Sequence, residues 1–256
     1  MPITNGTFVW YELLTTDLPA ARDFYSRVVG WEPMDAQTPG MEYWVFKAGG
    51  EHVAGLMTLP EPARRMGAPP NWLGYVAVAD VDATANQATA SGGRVLNPPM
   101  DIPNVGRFTP IADPGGSVIG IYTPANPDSE STVQQMERGH IGWNELYASD
   151  VEAGFAFYSR LFGWVKKEAM DMGPMGVYQI FGTDDVTLGG MMTKPPQAPT
   201  GYWTYYINVA SIDGAVERVR TAGGQIVNGP MEVPGGMWIV QGTDPQHALF
   251  ALIGAR

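Results

Sequence analysis

The chain carries one segment in two copies. Residues 10–31 read WYELLTTDLPAARDFYSRVVGW and residues 143–164 read WNELYASDVEAGFAFYSRLFGW, identical at 11 of 22 aligned positions with a constant offset of 133. Residues 71–103 match residues 202–234 at an offset of 131, as do Gly92-Gly93 with Gly223-Gly224 and Asp113-Pro114 with Asp244-Pro245. VAGLMTLP (53–60) answers LGGMMTKP (188–195) at an offset of 135. Drifts of a few residues mark loop-length changes, which surface connections tolerate. A solenoid stacks three or more short repeats, so two long copies read instead as two domains. The expected boundaries are a first domain over 1–124, a polar, proline-containing linker over 125–139, and a second domain over 140–256.

Each copy divides again. Phe8–Leu14 is an apolar, aromatic run of strand length. Asp17 can cap a helix whose apolar residues Ala21, Phe24, Tyr25 and Val28 keep helical spacing, with Gly30 at its end. MEYWVFKAG and EHVAGLMTL then read as strands around a Gly-Gly turn, after a short strand near Trp31–Met34. The order recurs with WLGYVAVAD, a helix over 82–91, and strands in RVLN, GRFTPIAD and SVIGIYT. The expected class is α+β, with four βαβββ units in two pairs.

With 45% hydrophobic residues among 256, each half can bury a core. The net charge of −11 opposes nucleic-acid and anionic-membrane partners, and no apolar run nears the roughly 20 residues of a membrane span. The absence of cysteine excludes disulfides, thiolate metal sites and cysteine nucleophiles. The opening MPITNGTFVWYELL lacks a basic region followed by an apolar run, so no signal peptide is expected and the cytoplasm is the expected location. The glycine pairs lack a strand–GxGxxG–helix context and read as turns rather than phosphate loops.

The element order, the phrase Asp-x5–6-Phe-Tyr-x4-Gly-Trp, and a late Asp-Pro-Gly-Gly turn resemble the vicinal oxygen chelate superfamily. This is the group of glyoxalase I, extradiol dioxygenases, fosfomycin-resistance enzymes and bleomycin-binding proteins. The likeness is closest to fused two-domain, glyoxalase-like members. It implies that each pair of units curls its sheet into a cup holding a divalent metal on His, Glu or Gln. At the positions implied for those ligands, this chain has Trp10 and Trp143 on the opening strands and Gly120 and Ala251 on the late strands. Gly55 or Met57, and Gly190 or Met192, occupy the next strands; Trp72 and Leu73, and Trp203 and Thr204, open the alternate units. None is a hard-metal or imidazole ligand. His52, His140 and His247 neither cluster nor share one repeat position, and they read as exposed or turn residues. The expectation is no metal and no cofactor.

Strand alternation turns Glu12 and Leu14 to the same side as Trp10, and Glu145 and Tyr147 to the same side as Trp143. Each copy thus sets one acid beside an indole. A carboxyl group among apolar side chains is expected to hold its proton more tightly and can work as a general acid or base. Glu12 and Glu145 are therefore the candidate catalytic residues, and Trp10, Trp143, Met57, Met192, Trp72, Trp203 and Tyr147 the candidate ligand-binding ones. The structural alternative has the acids accepting hydrogen bonds and the indoles plugging the void of a lost metal site. The Phe-Tyr pairs 24–25 and 157–158 read as packing, and Arg107 as an exposed strand residue able to grip an anion.

The leading expectation is a metal-independent site for a flat, largely apolar metabolite, serving sequestration or acid–base chemistry of a lyase- or isomerase-like kind. A metal-dependent glyoxalase or dioxygenase with unusual ligands is second, and a structural or interaction protein with filled cups third. The oligomeric state, monomer or homodimer, stays open.

Overall fold

The computed structural model describes residues 4–38, 40–126 and 136–256; residues 127–135 of the expected linker lie outside them. The first βαβββ segment runs β1 (Phe8–Thr15), α1 (Leu18–Val28), β2 (Glu32–Asp35), β3 (Tyr43–Ala48) and β4 (Glu51–Thr58). A short α2 (Glu61–Arg65) leads to β5 (Asn71–Ala77), α3 (Val81–Ala90), β6 (Arg94–Val95), β7 (Met100–Ile102), β8 (Gly106–Ala112) and β9 (Val118–Pro124). The second copy gives β10 (Ile141–Ala148), α4 (Val151–Phe162), β11 (Val165–Asp171), β12 (Val177–Gly182) and β13 (Thr187–Thr193). It ends with β14 (Tyr202–Ser211), α5 (Ile212–Thr221), β15 (Gln225–Val233), β16 (Met237–Thr243) and β17 (Leu249–Ala255).

Two mixed sheets result, as expected of an α+β chain. Their strand orders are β2-β3-β4-β1-β5-β9-β8-β6, with β7 also on β8, and β11-β12-β13-β10-β14-β17-β16-β15. The strand expected over RVLN is cut to two residues, and pairing with β8 resumes at Met100. Pro98 and Pro99 stand in the break, where neither can donate to a ladder.

Local chemistry sets the helix starts. Asp17, Asp80 and Asp150 each accept a hydrogen bond from the backbone N–H three residues on, at 2.9–3.0 Å, and Ser211 does the same at 3.3 Å. Helix α4 stops at Gly163, whose φ of 72° lies in the left-handed region that glycine enters without strain.

By density of contact the chain forms two compact units. One comprises residues 10–38, 40–73, 136–142 and 204–256; the other comprises residues 4–9, 74–126 and 143–203. Each sequence repeat therefore supplies one βαβββ segment to each unit. In the first unit α1 buries Ala21, Phe24, Tyr25 and Val28, with Phe24 packed on Phe250 and Tyr25 on Trp31, Phe46 and Trp72. In the second, α4 places Phe157, Tyr158 and Phe162 among Phe8, Trp164, Phe181 and Trp203. The Phe-Tyr pairs are core, as their helical spacing predicts.

Candidate functional site

Strand β1 alternates as expected: Tyr11 and Leu13 are buried against the helix side, while Trp10 and Leu14 are half-buried on the other face. Glu12 shares that second face and is 8% exposed. In β10, Leu146 is fully buried, Trp143 and Tyr147 are half-buried, and Glu145 is 6% exposed. Asn144 points away from the acid and donates to the Leu188 carbonyl at 2.7 Å.

A tyrosine joins each indole to its acid. In the second copy Trp143 Nε1 donates to the Tyr178 hydroxyl at 2.7 Å, and that hydroxyl donates to Glu145 Oε1 at 2.8 Å. In the first copy Trp10 Nε1 donates to Tyr43 at 3.0 Å, and Tyr43 in turn donates to Glu12. The direction is forced. An indole nitrogen only donates, a carboxylate only accepts, and a phenol has one proton to give. Each site is thus a Trp→Tyr→Glu relay.

The tyrosines missed by the sequence reading are Tyr43 and Tyr178. They stand 135 apart, the offset that aligns β4 with β13. That spacing was the available signal, but a tyrosine on a strand reads first as β-propensity.

The relay occupies the space a metal ligand would need. Glu12 pairs in register with Gly55, and Glu145 with Gly190. A Cβ added at Gly55 would stand 2.0 Å from the Tyr43 hydroxyl and 3.1 Å from Trp10 Nε1; one at Gly190 would stand 2.2 Å from the Tyr178 ring. At Gly120 it would meet the Tyr75 ring at 2.3 Å. Indoles and glycines supply no donor pair for a divalent ion, so the residues at the implied ligand positions do not fit one. Among the described residues no group of three or more His, Asp or Glu is placed to hold a metal.

The other predicted binding residues divide. Tyr147 and Met192 stay with the second-copy site, in register with each other, and Tyr147 stacks on Tyr202 at 4.8 Å and 16°. Met57 pairs with Leu14 and, across the next ladder, with Tyr43. Trp72 and Trp203 face the helices instead. Trp72 Nε1 donates to Tyr25 at 2.9 Å, and Tyr25 donates to Asp244 at 3.2 Å. Trp203 Nε1 donates to Tyr158 at 3.2 Å, and Tyr158 donates to Asp113 at 3.0 Å. These are buried versions of the same relay, ending on the Asp-Pro turns.

Arg107, a candidate anion grip, is half-buried and held by Asp82 through two nitrogens at 2.6 and 2.9 Å and by Asp101 at 3.0 Å. His52 and His247 are exposed, as expected. His140 closes a turn but is not exposed: it is 2% exposed, a correction to the exposed half of its reading. Its backbone is drawn in by hydrogen bonds with Glu137 and Asn208.

Burial pushes the Tyr43 and Tyr178 phenols well above the ordinary range, and the neighbouring Glu12 and Glu145 carboxylates add to the rise. Tyr25 is raised by burial and then by Asp244. Tyr202 is raised by burial and, in second place, by Glu145. A raised folded value means that the folded state holds a proton that the unfolded chain releases above roughly pH 10. Stability is unaffected by these groups below that pH and falls as pH climbs beyond it. Absorbance titration at alkaline pH should leave Tyr25, Tyr43 and Tyr178 protonated after exposed phenols ionise, then show them ionising together with the loss of circular dichroism. Ionisation of all eleven tyrosines in an intact fold would contradict the relay.

Comparison with known proteins agrees with this architecture. The sequence model described as Glyoxalase/Bleomycin resistance protein/Dioxygenase superfamily matches residues 7–121 and again 139–252. CFP32 of Mycobacterium tuberculosis, a provisional glyoxylase by name, is 33% identical over 97% of this chain and 95% of its own. The anthracycline biosynthesis protein DnrV of Streptomyces peucetius is 26% identical over 98% of this chain and 94% of its own. Among solved structures, a Mn(II)-bound glyoxalase from Novosphingobium aromaticivorans superposes with a TM-score of 0.65 at 16% identity, covering 98% of this chain and 82% of that one. The 2,3-dioxygenase LapB from Pseudomonas sp. KL28 gives 0.65 at 12%, covering 100% and 94%. Those two likenesses are of fold. With the family's sequence pattern matched once in each half of the chain, this protein belongs to the glyoxalase/bleomycin resistance protein/dioxygenase superfamily.

Proposed function

We propose that the protein binds a small, flat, largely apolar molecule at the second-copy site, with Glu145 exchanging a proton or hydrogen bond with a polar group of that molecule and no metal at the site. The observation that carries this reading is the half-buried Tyr147–Tyr202 stack standing within electrostatic reach of Glu145. Stacked rings give an apolar platform, and the acid gives it one point of polar selectivity. The first copy has Leu14 and Asn71 at the corresponding positions, so its acid lacks the platform.

The chain's own groups divide the work. Tyr178 spends its single proton on Glu145, so it orients the carboxylate rather than serving as an acid. Trp143 fixes the phenol by donating to it. Glu145 is the group in reach of both the relay and the stack, and proton transfer in a sequestering protein or an isomerase-like enzyme would pass through it. Two relatives named for anthracycline biosynthesis make fused aromatic rings the first ligand class to try.

Tryptophan fluorescence and thermal shift with a panel of fused-ring aromatic compounds, in chelator, test the proposal. Binding is expected in the wild type, weakened at least tenfold in Glu145→Gln and in Tyr147→Ala, and unchanged in Glu12→Gln. A panel that leaves both signals flat would instead favour a site closed by its own side chains.

A further inference from the structure

We infer that a second, separate site, built on His140 and Glu51, binds a divalent transition-metal ion of the zinc type. His140 lies almost wholly buried at the edge of a cavity of about 350 Å³ lined by Ala48, Gly49, Glu51, Glu137, Arg138 and His140. Both ring nitrogens of His140 and the Oε2 atom of Glu51 are buried without a hydrogen-bond partner. Buried polar atoms are nearly always paired, so three such orphans at one cavity mark a missing partner.

The spacing identifies the partner. His140 Nε2 and Glu51 Oε2 stand 3.4 Å apart, close enough for an ion pair but without hydrogen-bond geometry. Zinc bonds imidazole nitrogen and carboxylate oxygen at about 2.0–2.2 Å, which puts two donors on one tetrahedral ion about 3.4 Å from each other. Imidazole with carboxylate suits zinc, and cobalt reports on the same geometry.

The donors are held in place. The Gly139 carbonyl accepts from Trp31 Nε1 at 2.7 Å, and the Gly139 N–H and His140 carbonyl bond to Asn208 at 2.8 and 2.9 Å. A Cβ on Gly139 would meet Ala48 at 2.7 Å, so the backbone carrying the imidazole packs tightly against β3. Glu51 opens β4 directly after the Gly49-Gly50 turn. Glu137 and Arg138 put opposite charges at the cavity, leaving Glu51 as its uncompensated carboxylate, and the chain's net charge of −11 favours cation capture. With two protein donors, water completes the coordination, and the ion is exchangeable rather than permanent.

The test uses the full chain, untagged and stripped with chelator. Zn²⁺ titration by calorimetry should give one equivalent in the micromolar range, and Co²⁺ should develop the visible absorption of four-coordinate cobalt. Affinity should fall at least tenfold in His140→Gln and in Glu51→Gln and stay unchanged in His52→Gln and Glu145→Gln. Glu51 is partly solvent-exposed, so its variant keeps the test valid if His140→Gln folds poorly. Absent binding at millimolar Zn²⁺, or affinity equal to wild type in Glu51→Gln, overturns the site and leaves bridging water as the partner of these atoms.

Discussion

Tyr178→Phe is expected to lower the unfolding free energy by about 2–4 kcal/mol, far beyond the loss of one ordinary hydrogen bond. The ring and its packing remain, so only the hydroxyl is missing. Its loss strips partners from two groups at once, the Trp143 indole N–H and Glu145 Oε1. A buried donor or acceptor left unpaired costs about 1–3 kcal/mol, with the higher end for a charged acceptor. Trp143 is half-buried, so water recovers part of its share. Urea unfolding measures the loss, and a cycle with Glu145→Leu isolates its origin. Once the acid is gone, the same Tyr178→Phe change should cost at least 1 kcal/mol less. Equal cost in both backgrounds would mean that the hydroxyl does not act through Glu145.

Gly190→Ala should be comparably disruptive, by about 2–4 kcal/mol, for a steric reason. The added methyl would lie 2.2 Å from the Tyr178 ring, so either the ring leaves its place or the strand moves. Truncating the ring should relieve the clash: Gly190→Ala combined with Tyr178→Ala is expected to fall short of the summed single effects by at least 1 kcal/mol. Gly189→Ala is the control. There the methyl would meet the Asn144 backbone carbonyl at 1.8 Å, and removing the Tyr178 side chain cannot help. Additive behaviour of Gly190→Ala with Tyr178→Ala would mean that the phenol does not fill the space of a side chain at 190.

Much of this was legible in the sequence because it was written twice. The repeat placed Trp10 with Trp143 and Glu12 with Glu145, and period-two alternation put each pair on one face of its strand. Asp17, Asp80 and Asp150 announced helix starts through a purely local bond. What stayed hidden depends on partners distant in sequence. Tyr43 and Tyr178 matter through hydroxyls that reach residues 31 positions or more away, and strand composition does not reveal a hydroxyl's partner. Trp72 and Trp203 look like site walls when read as members of opening strands, yet tyrosines on the helices claim their N–H groups. His140 is buried by backbone bonds to Asn208, 68 residues on, which no local pattern signals.

In both sites a phenol fills the space of a side chain at Gly55 or Gly190 and bonds the neighbouring acid. The most direct measurement is an anomalous difference map from crystals equilibrated with millimolar Mn²⁺. Tyr43 and Tyr178 should be seen hydrogen-bonded to Glu12 and Glu145, with no anomalous peak at either carboxylate. A manganese ion bonded to Glu12 or Glu145, with the neighbouring phenol turned aside, would contradict this.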